Sequence, residues 1–198
     1  MSPTPEFRTD RRPALIICAY DPEDTAWDPV EDLSGTPWSP NGARTVAVSA
    51  ADPEGLAATL KIHLAERDCR GVLLVGRTHR SDAFQMQMRA DNRALTGGAK
   101  LSSTGPATAR TTAPVADIIR ALTEAGLSAG ASSDGEEDVG SFLLYSILTG
   151  LPADIDAPAV GLLRAPVHMS SAELNKGVRI AAGAIARHLT PLPRSLSV

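Results

Sequence analysis

Three short apolar runs constrain the fold of this chain more than any other feature of its sequence. They are residues 14–20, 71–76 and 160–166, and only Arg164 interrupts the third run with a charge. None of them alternates polar with apolar residues, as a strand with one solvated face would do. Each run therefore predicts a strand that is covered on both faces, which is typical of parallel sheets with helices on either side.

Helix patterns separate these predicted strands. Residues 52–67 begin with acidic residues and carry leucines at positions 56, 60 and 64, residues 114–125 begin at a proline, and residues 171–189 follow a serine. Such starts and periodic apolar positions indicate amphipathic helices. The alternation of strands and helices predicts an α/β fold, a three-layer α/β/α sandwich with a mostly parallel central sheet.

The remaining segments are less regular. Residues 21–41 carry four prolines and predict a long loop, which in a compact domain is usually functional. Residues 45–48 are a further strand candidate, residues 84–92 fit a strand or a helix, and residues 95–112, rich in Gly, Ser and Thr, predict a flexible excursion. Residues 138–148 lead from an acidic segment into a buried helix, whose first turn would offer unpaired N–H groups to a nucleophile.

Length and hydropathy suggest one soluble unit. At 198 residues and 20.7 kDa the chain is long enough for one α/β domain, which we expect at residues 13–190 between flexible tails at 1–12 and 191–198. No run approaches the roughly 20 apolar residues that a membrane-spanning helix needs, and the first residues lack a secretory signal pattern. A cytoplasmic protein without membrane contact is the expectation.

Net charge and cysteine content limit the kinds of partner, metal and cofactor that the chain is expected to bind. The net charge is −4 and the only basic cluster comprises the arginines at positions 77, 80, 89 and 93, so nucleic acid is not an expected partner. Cys18 and Cys69 each lie at the edge of an apolar run and are expected to be buried reduced thiols. No disulfide framework, metal site or cofactor is indicated, and self-association into a homo-oligomer stays open.

The order of short motifs resembles pyroglutamyl peptidase I, the cysteine peptidase family that removes an N-terminal pyroglutamate. Over residues 13–189 the resemblance rests on four motifs: Tyr20-Asp21-Pro22, Val75-Gly76 followed by Arg80 and Asp82, Gly105-Pro106 with Thr111-Thr112-Ala113-Pro114-Val115, and Asp138-Val139-Gly140-Ser141-Phe142-Leu143. The resemblance implies that family's fold and, if the catalytic residues are present, thiol chemistry.

The catalytic residues are not present. By this resemblance the family's cysteine falls on Leu144, its histidine on Arg164 and its glutamate on Gln87. A leucine is neither an anion nor a nucleophile, and an arginine stays protonated with no free lone pair, so it cannot act as a general base. Thiol peptidase chemistry at this site is therefore excluded, and the protein is expected to be a pseudopeptidase.

The resemblance also implies a changed pocket. Positions that are aromatic or neutral in the family fall on Glu23, on or near Asp28, and on Arg77. With Arg80 and Arg164, Arg77 would lie at the carboxyl ends of strands and suggests a site for a small anionic molecule. The alternative is that these arginines lie along apolar surface and pair with nearby carboxylates. The predicted ligand-binding residues are Tyr20, Arg77, Gln87, Asp138, Leu144 and His168.

Two function classes follow. In the first, the chain is a repurposed enzyme, in which His79 oriented by Asp82 transfers protons and Arg164 stabilises an anionic intermediate. In the second, it is a pseudoenzyme that binds a small ligand or a protein partner without chemistry. The charges at the predicted strand ends favour the first class, although most single histidines in polar loops are merely solvated.

Overall fold

The computed structural model describes residues 10–20, 38–46, 48, 52–66, 68–151 and 156–189. Twelve elements of secondary structure lie within them. In chain order they are β1 (Ala14–Ala19), β2 (Arg44–Val46), α1 (Pro53–Ala65), β3 (Cys69–Thr78), β4 (Phe84–Gln87), β5 (Arg89–Asp91), β6 (Thr108–Arg110), α2 (Val115–Glu124), β7 (Ala129–Ser132), α3 (Val139–Leu148), β8 (Ala159–Pro166) and α4 (Ser171–His188).

Six strands form the central sheet in the order β2-β1-β3-β8-β4-β7. The first four are parallel to one another, whereas β4 runs antiparallel to β8 and parallel to β7. The prediction of an α/β fold with a mostly parallel sheet is thus confirmed, and the reversed pair lies at one side of the sheet. Strands β5 and β6 form a separate antiparallel hairpin.

The three apolar runs of the sequence became the adjacent strands β1, β3 and β8. Alternate side chains along them enter two cores: Leu15, Leu73 and Leu163 pack with α2 and α4, and Ile16, Leu74 and Leu162 pack with α1 and α3. Both faces of these strands are therefore covered, which is why they show no polar alternation. The predicted three layers follow directly.

Helix caps explain where the helices begin. Helix α1 follows Asp52, whose carboxylate accepts a hydrogen bond from the backbone N–H of Gly55 at 2.7 Å, and α4 follows Ser170, whose hydroxyl accepts from Glu173 N at 3.3 Å. Each cap satisfies an N–H that would otherwise lack a partner. Of the described helices, none is both long and apolar enough to cross a membrane.

The less regular segments resolve into short strands. Residues 84–92 form β4 and β5, which part at Met88 because β4 joins the main sheet and β5 pairs with β6. The excursion predicted at 95–112 contains β6, and the strand predicted at 45–48 is β2 at Arg44–Val46. The long loop predicted at 21–41 lies mostly outside the described residues, as do Glu23 and Asp28.

Candidate functional site

A fully buried arginine lies at the centre of the site. Arg164 on β8 is 2% exposed, although the strand is otherwise apolar. It lies opposite Gly76 of β3 and Gln85 of β4, on the sheet face that packs against α1 and α3. Because an unpaired charge in such a place would be very costly, its surroundings must compensate it.

Every N–H of the Arg164 guanidinium has an acceptor. Nη1 donates to Asp138 Oδ2 at 2.7 Å and Nη2 to Asp138 Oδ1 at 2.8 Å, which is a two-pronged ion pair. Nε donates to Gln87 Oε1 at 2.7 Å, and the remaining bonds reach Ser141 Oγ at 3.0 Å and the Arg77 carbonyl at 3.4 Å. The five donors of this side chain are therefore all used.

Asp138 has two roles in this arrangement. It is the N-cap of α3, where its Oδ1 accepts a hydrogen bond from the backbone N–H of Ser141 at 2.9 Å. Burial acts to raise the pKa of Asp138, but the hydrogen bonds and the charge of Arg164 outweigh burial and hold the pKa below its usual value. The ionised carboxylate therefore already occupies the anion-binding position at the start of α3.

Gln87 and Ser141 complete the buried group. The amide nitrogen of Gln87 donates to the Arg89 carbonyl at 2.8 Å and to Ser141 Oγ at 3.1 Å, while its oxygen accepts from Arg164. Gln87 is fully buried at the carboxyl end of β4. We refer to Arg164, Asp138, Gln87 and Ser141 as the Arg164 network. Its members satisfy one another and leave the guanidinium no free donor.

Leu144 belongs to the core. Its side chain is fully buried in the cluster that α1 and α3 share, and it does not line the cleft described next. Helix α3 begins at Val139, so position 144 lies in the second turn. The helix starts five residues earlier, so position 144 lies beyond the first turn, whose unpaired N–H groups a nucleophile would meet.

A cleft of about 830 Å³ lies beside the Arg164 network. It is lined by the ends of β1 and β3, by residues 93–98 between β5 and β6, and by residues 135–142 at the start of α3. Among the predicted site residues, Tyr20, Arg77, His79 and Asp138 line the cleft, and Gln87, Leu144, Arg164, Asp82 and His168 do not.

The structure does not bring His79 and Asp82 together. The carboxylate of Asp82 lies 3.8 Å from His168 Nε2 instead, and both of these side chains are exposed. The Ser81 hydroxyl donates a hydrogen bond to the Ala83 carbonyl and accepts one from the Ala83 N–H, and these bonds hold a tight bend after β3. Among the described residues, no hydrogen bond joins His79 to a carboxylate, so the predicted acid/base pair is not formed.

Arg77 and Arg164 do not face one another either. Arg77 lies opposite Ala165 and Arg164 lies opposite Gly76, so the two side chains leave the sheet from opposite faces. Arg77 Nη1 donates to the Pro166 carbonyl at 3.3 Å, near the ends of both strands. The pair of cations that we expected around an anion is therefore absent from this part of the structure.

The charge of the cleft is mixed rather than basic. Arg93 forms an ion pair with Glu137, and Asp138 forms an ion pair with the buried Arg164. Glu136 accepts a hydrogen bond from Thr78 Oγ1 at 2.5 Å and lies 3.7 Å from Arg164 Nε. Carboxylates thus outnumber cations along the lining; they are Asp91, Glu136, Glu137 and Asp138 against Arg77 and Arg93.

Nowhere in the described residues do three His, Cys, Asp or Glu side chains gather as metal ligands would.

These features define an α/β/α protein with a cleft at the ends of its central strands and a buried ion pair beside that cleft. The chain has the fold of pyroglutamyl peptidase I, so the resemblance inferred from its motifs is confirmed at the level of the fold. No protein-family model matches the chain, and no curated protein sequence does.

Three solved structures illustrate the likeness. Pyroglutamyl peptidase I from Bacillus amyloliquefaciens superposes with a TM-score of 0.72 at 17% identity, over 88% of this chain and 95% of that one. Pyrrolidone carboxyl peptidase from Thermus thermophilus gives 0.68 at 17% identity over 86% and 99%, and a mutant of the Pyrococcus furiosus enzyme gives 0.69 at 15% over 89% and 100%. At such identities the likeness concerns the fold alone.

Proposed function

We propose that this protein is a divergent relative of pyroglutamyl peptidase I that has lost thiol peptidase activity and binds a small polar molecule in its cleft. The observation that carries the proposal is the closed Arg164 network. By the motif resemblance, Leu144, Arg164 and Gln87 take the positions of the family's cysteine, histidine and glutamate. Two of these three positions now belong to a satisfied ion-pair network, and the third is a core leucine.

The chemistry of these side chains supports the loss of activity. Acyl transfer by a thiol needs a thiolate and a base that accepts and returns a proton. Leu144 offers only hydrocarbon, the guanidinium of Arg164 has no lone pair, and the amide of Gln87 does not titrate. The acceptor oxygens of Asp138 are held by Arg164 and by Ser141 N, so this carboxylate is not a substitute base.

The cleft supports a ligand that carries both signs of charge. Arg77 and His79 lie at the end of β3, and Asp91 and Glu136 lie on the segments that face it. Beside the pairs Arg93–Glu137 and Arg164–Asp138, the lining carries Arg77, which donates to the Pro166 carbonyl, and the carboxylates Asp91 and Glu136, so it presents groups of both signs. The anionic molecule expected from the sequence thus becomes a zwitterion, whose carboxylate would meet Arg77 and whose amine would meet Asp91.

The binding reading is favoured over a repurposed enzyme. A proton-transfer site needs a titratable group held by a second polar group. His79 is exposed, and Asp82 lies beside His168 rather than beside His79. Arg164 is buried, forms an ion pair with Asp138 and does not line the cleft. The three residues that suggested catalysis from the sequence therefore do not form one site.

The experiment compares ligand classes by thermal shift. Amino acids and short peptides, which are zwitterions, are titrated beside dicarboxylates without an amine. A ligand at a hundred times its Kd adds about 2.7 kcal/mol of stability, which corresponds to roughly 5–11 °C in Tm for a chain of this length. We expect Asp91→Asn and Arg77→Gln each to reduce the shift, and Arg120→Gln, which removes an exposed partner of Asp117, to leave it unchanged.

Two results would count against this proposal. Hydrolysis of a pyroglutamyl-coumarin substrate by the purified protein would refute the loss of peptidase activity. Stabilisation by dicarboxylates but not by zwitterions would instead restore the purely anionic site, with Arg77 rather than Arg164 as its cation.

A further inference from the structure

The excursion between β5 and β6 forms one wall of the cleft. Five of its residues line the cavity, and they lie close together in the chain: Arg93, Ala94, Leu95, Gly97 and Gly98. The opposite wall is the segment that leads into α3, with Glu136 and Glu137 at its rim. Any molecule in the cleft would therefore touch the excursion.

The stem of the excursion is fixed to the domain. The amide nitrogen of Asn92 donates to the Ser102 carbonyl at 2.7 Å, and its amide oxygen accepts from Ser102 N at 2.9 Å. Asn92 is only 6% exposed, and further along the excursion the Tyr145 hydroxyl of α3 donates to the Pro106 carbonyl at 2.7 Å. Movement without breaking these buried bonds is thus confined to residues 93–101.

The tip has the conformation of a compact turn. Ala94 N donates to the Ala99 carbonyl at 2.9 Å, and between them Gly97 and Gly98 have φ values of 80° and 63°. A Cβ added at either glycine would meet no atom within 4 Å, so the space beside both residues is open. The tip is closed by its own hydrogen bond and most of its residues are exposed, so the segment can move as a small ordered unit.

One ion pair joins the excursion to the opposite wall. Arg93, which directly follows the stem residue Asn92, pairs with Glu137 in the segment before α3. Both side chains are exposed, so the pair is weak and easily exchanged for water. It joins two segments of the cleft lining, because Arg93 belongs to the excursion and Glu137 to the segment before α3.

We propose that residues 93–101 are a lid over the cleft and that the Arg93–Glu137 ion pair fastens it. Entry of a ligand breaks this pair, and the lid turns about its stem at Asn92 and Ser102. An exposed pair favours the closed lid by only about two- to fivefold, which allows frequent opening. The role of the lid rests on the proposed ligand cleft, but the experiment uses no ligand, so the two ideas can fail separately.

The experiment measures access to the cleft wall. Val139 lines the cleft at the start of α3, and Val139→Cys places a thiol there, whereas the native Cys18 and Cys69 are buried. N-ethylmaleimide is added to the folded protein, and the rate of modification at position 139 is followed by mass spectrometry. We expect Arg93→Ala and Glu137→Gln each to raise this rate about two- to fivefold, and the double variant to raise it no further.

Salt and charge exchange supply the controls. Raising ionic strength to 1 M should speed labelling when both members of the pair are present and should have no such effect in Arg93→Ala. Exchanging the charges, Arg93→Glu with Glu137→Arg, should restore slow labelling. Arg110→Ala removes an exposed arginine of the same hairpin that does not line the cleft and should change nothing. Unchanged rates in both single variants, or an equal rise in Arg110→Ala, would overturn the lid.

Discussion

Replacing Arg164 by methionine tests whether the Arg164 network is a closed structural unit. Methionine has a similar length and no charge, so it fills much of the same space. The variant leaves both oxygens of Asp138 without their guanidinium donors and removes the donor to Gln87 Oε1. Breaking a buried ion pair costs about 3–5 kcal/mol. We expect about 3 kcal/mol, because the Asp138 side chain is 36% exposed and water can reach it.

The measurement is urea unfolding together with thermal unfolding. A loss of about 3 kcal/mol from a typical total of about 5–15 kcal/mol should lower the urea midpoint without changing the slope. For a chain of this length the same loss lowers Tm by roughly 6–12 °C. Arg120→Met, at an exposed arginine that pairs with Asp117, is the matched control and should cost less than about 1 kcal/mol.

A second variant isolates the pair itself. Asp138→Ser keeps an N-cap residue on α3 but leaves the guanidinium of Arg164 buried without its main carboxylate. Each single variant should be strongly destabilised, whereas the double variant removes both charges and should recover about 2 kcal/mol or more relative to the sum. Additive losses, or an Arg164→Met variant within about 1 kcal/mol of the parent, would refute the closed network.

Three further predictions follow from the same site. The triple variant Leu144→Cys, Arg164→His and Gln87→Glu should give little turnover of a pyroglutamyl-coumarin substrate. By the motif resemblance, Glu23 and Arg77 still occupy positions that are aromatic or neutral in the family; strong rescue would show that recognition had survived. The pKa of Asp138 is depressed in the folded protein, so its ionised carboxylate stabilises the fold above the ordinary aspartate pKa of about 4. This stabilisation is lost as pH falls from about 4 through the lower pKa of the folded protein. The free energy of unfolding should therefore fall with pH below about 4, and it should depend less on pH in Asp138→Ser. Burial raises the pKa of the Cys69 thiol to about 11, so iodoacetamide at pH 8 should modify Cys69 only after unfolding, and rapid modification of the native protein would contradict its buried position.

The layers of this fold could be predicted because strands that are buried on both faces consist mostly of apolar residues. Strands β1, β3 and β8 are covered on both faces, and their short apolar runs are typical of such strands. The direction of β4 could not be predicted, because a short strand looks the same whether it runs parallel or antiparallel to β8. The division of residues 84–92 at Met88 also depends on partners that are distant in sequence.

The candidate site could be predicted only in part. The motif resemblance places Gln87 and Arg164 in one site, and the structure brings their side chains to 2.7 Å. The partner of Arg164 was missed: Asp138 was predicted only as a ligand-binding residue, and its pairing with an arginine 26 residues away in the chain cannot be seen in the local sequence. One signal was available, since an arginine inside an apolar strand needs a buried carboxylate, and Asp138 precedes the most apolar of the described helices.

Asp138 also links helix α3 to strand β8, two elements that could otherwise unfold independently of each other. The first turn of a helix ordinarily frays, because its N–H groups have only weak local partners. Here the residue that caps α3 is held by an arginine on β8, so the helix cannot unwind at this end without breaking an ion pair in the central sheet. We therefore expect helix α3 and strand β8 to open as one cooperative unit, and the start of α3, which lines the cleft, to resist local unfolding more than an ordinary helix end does.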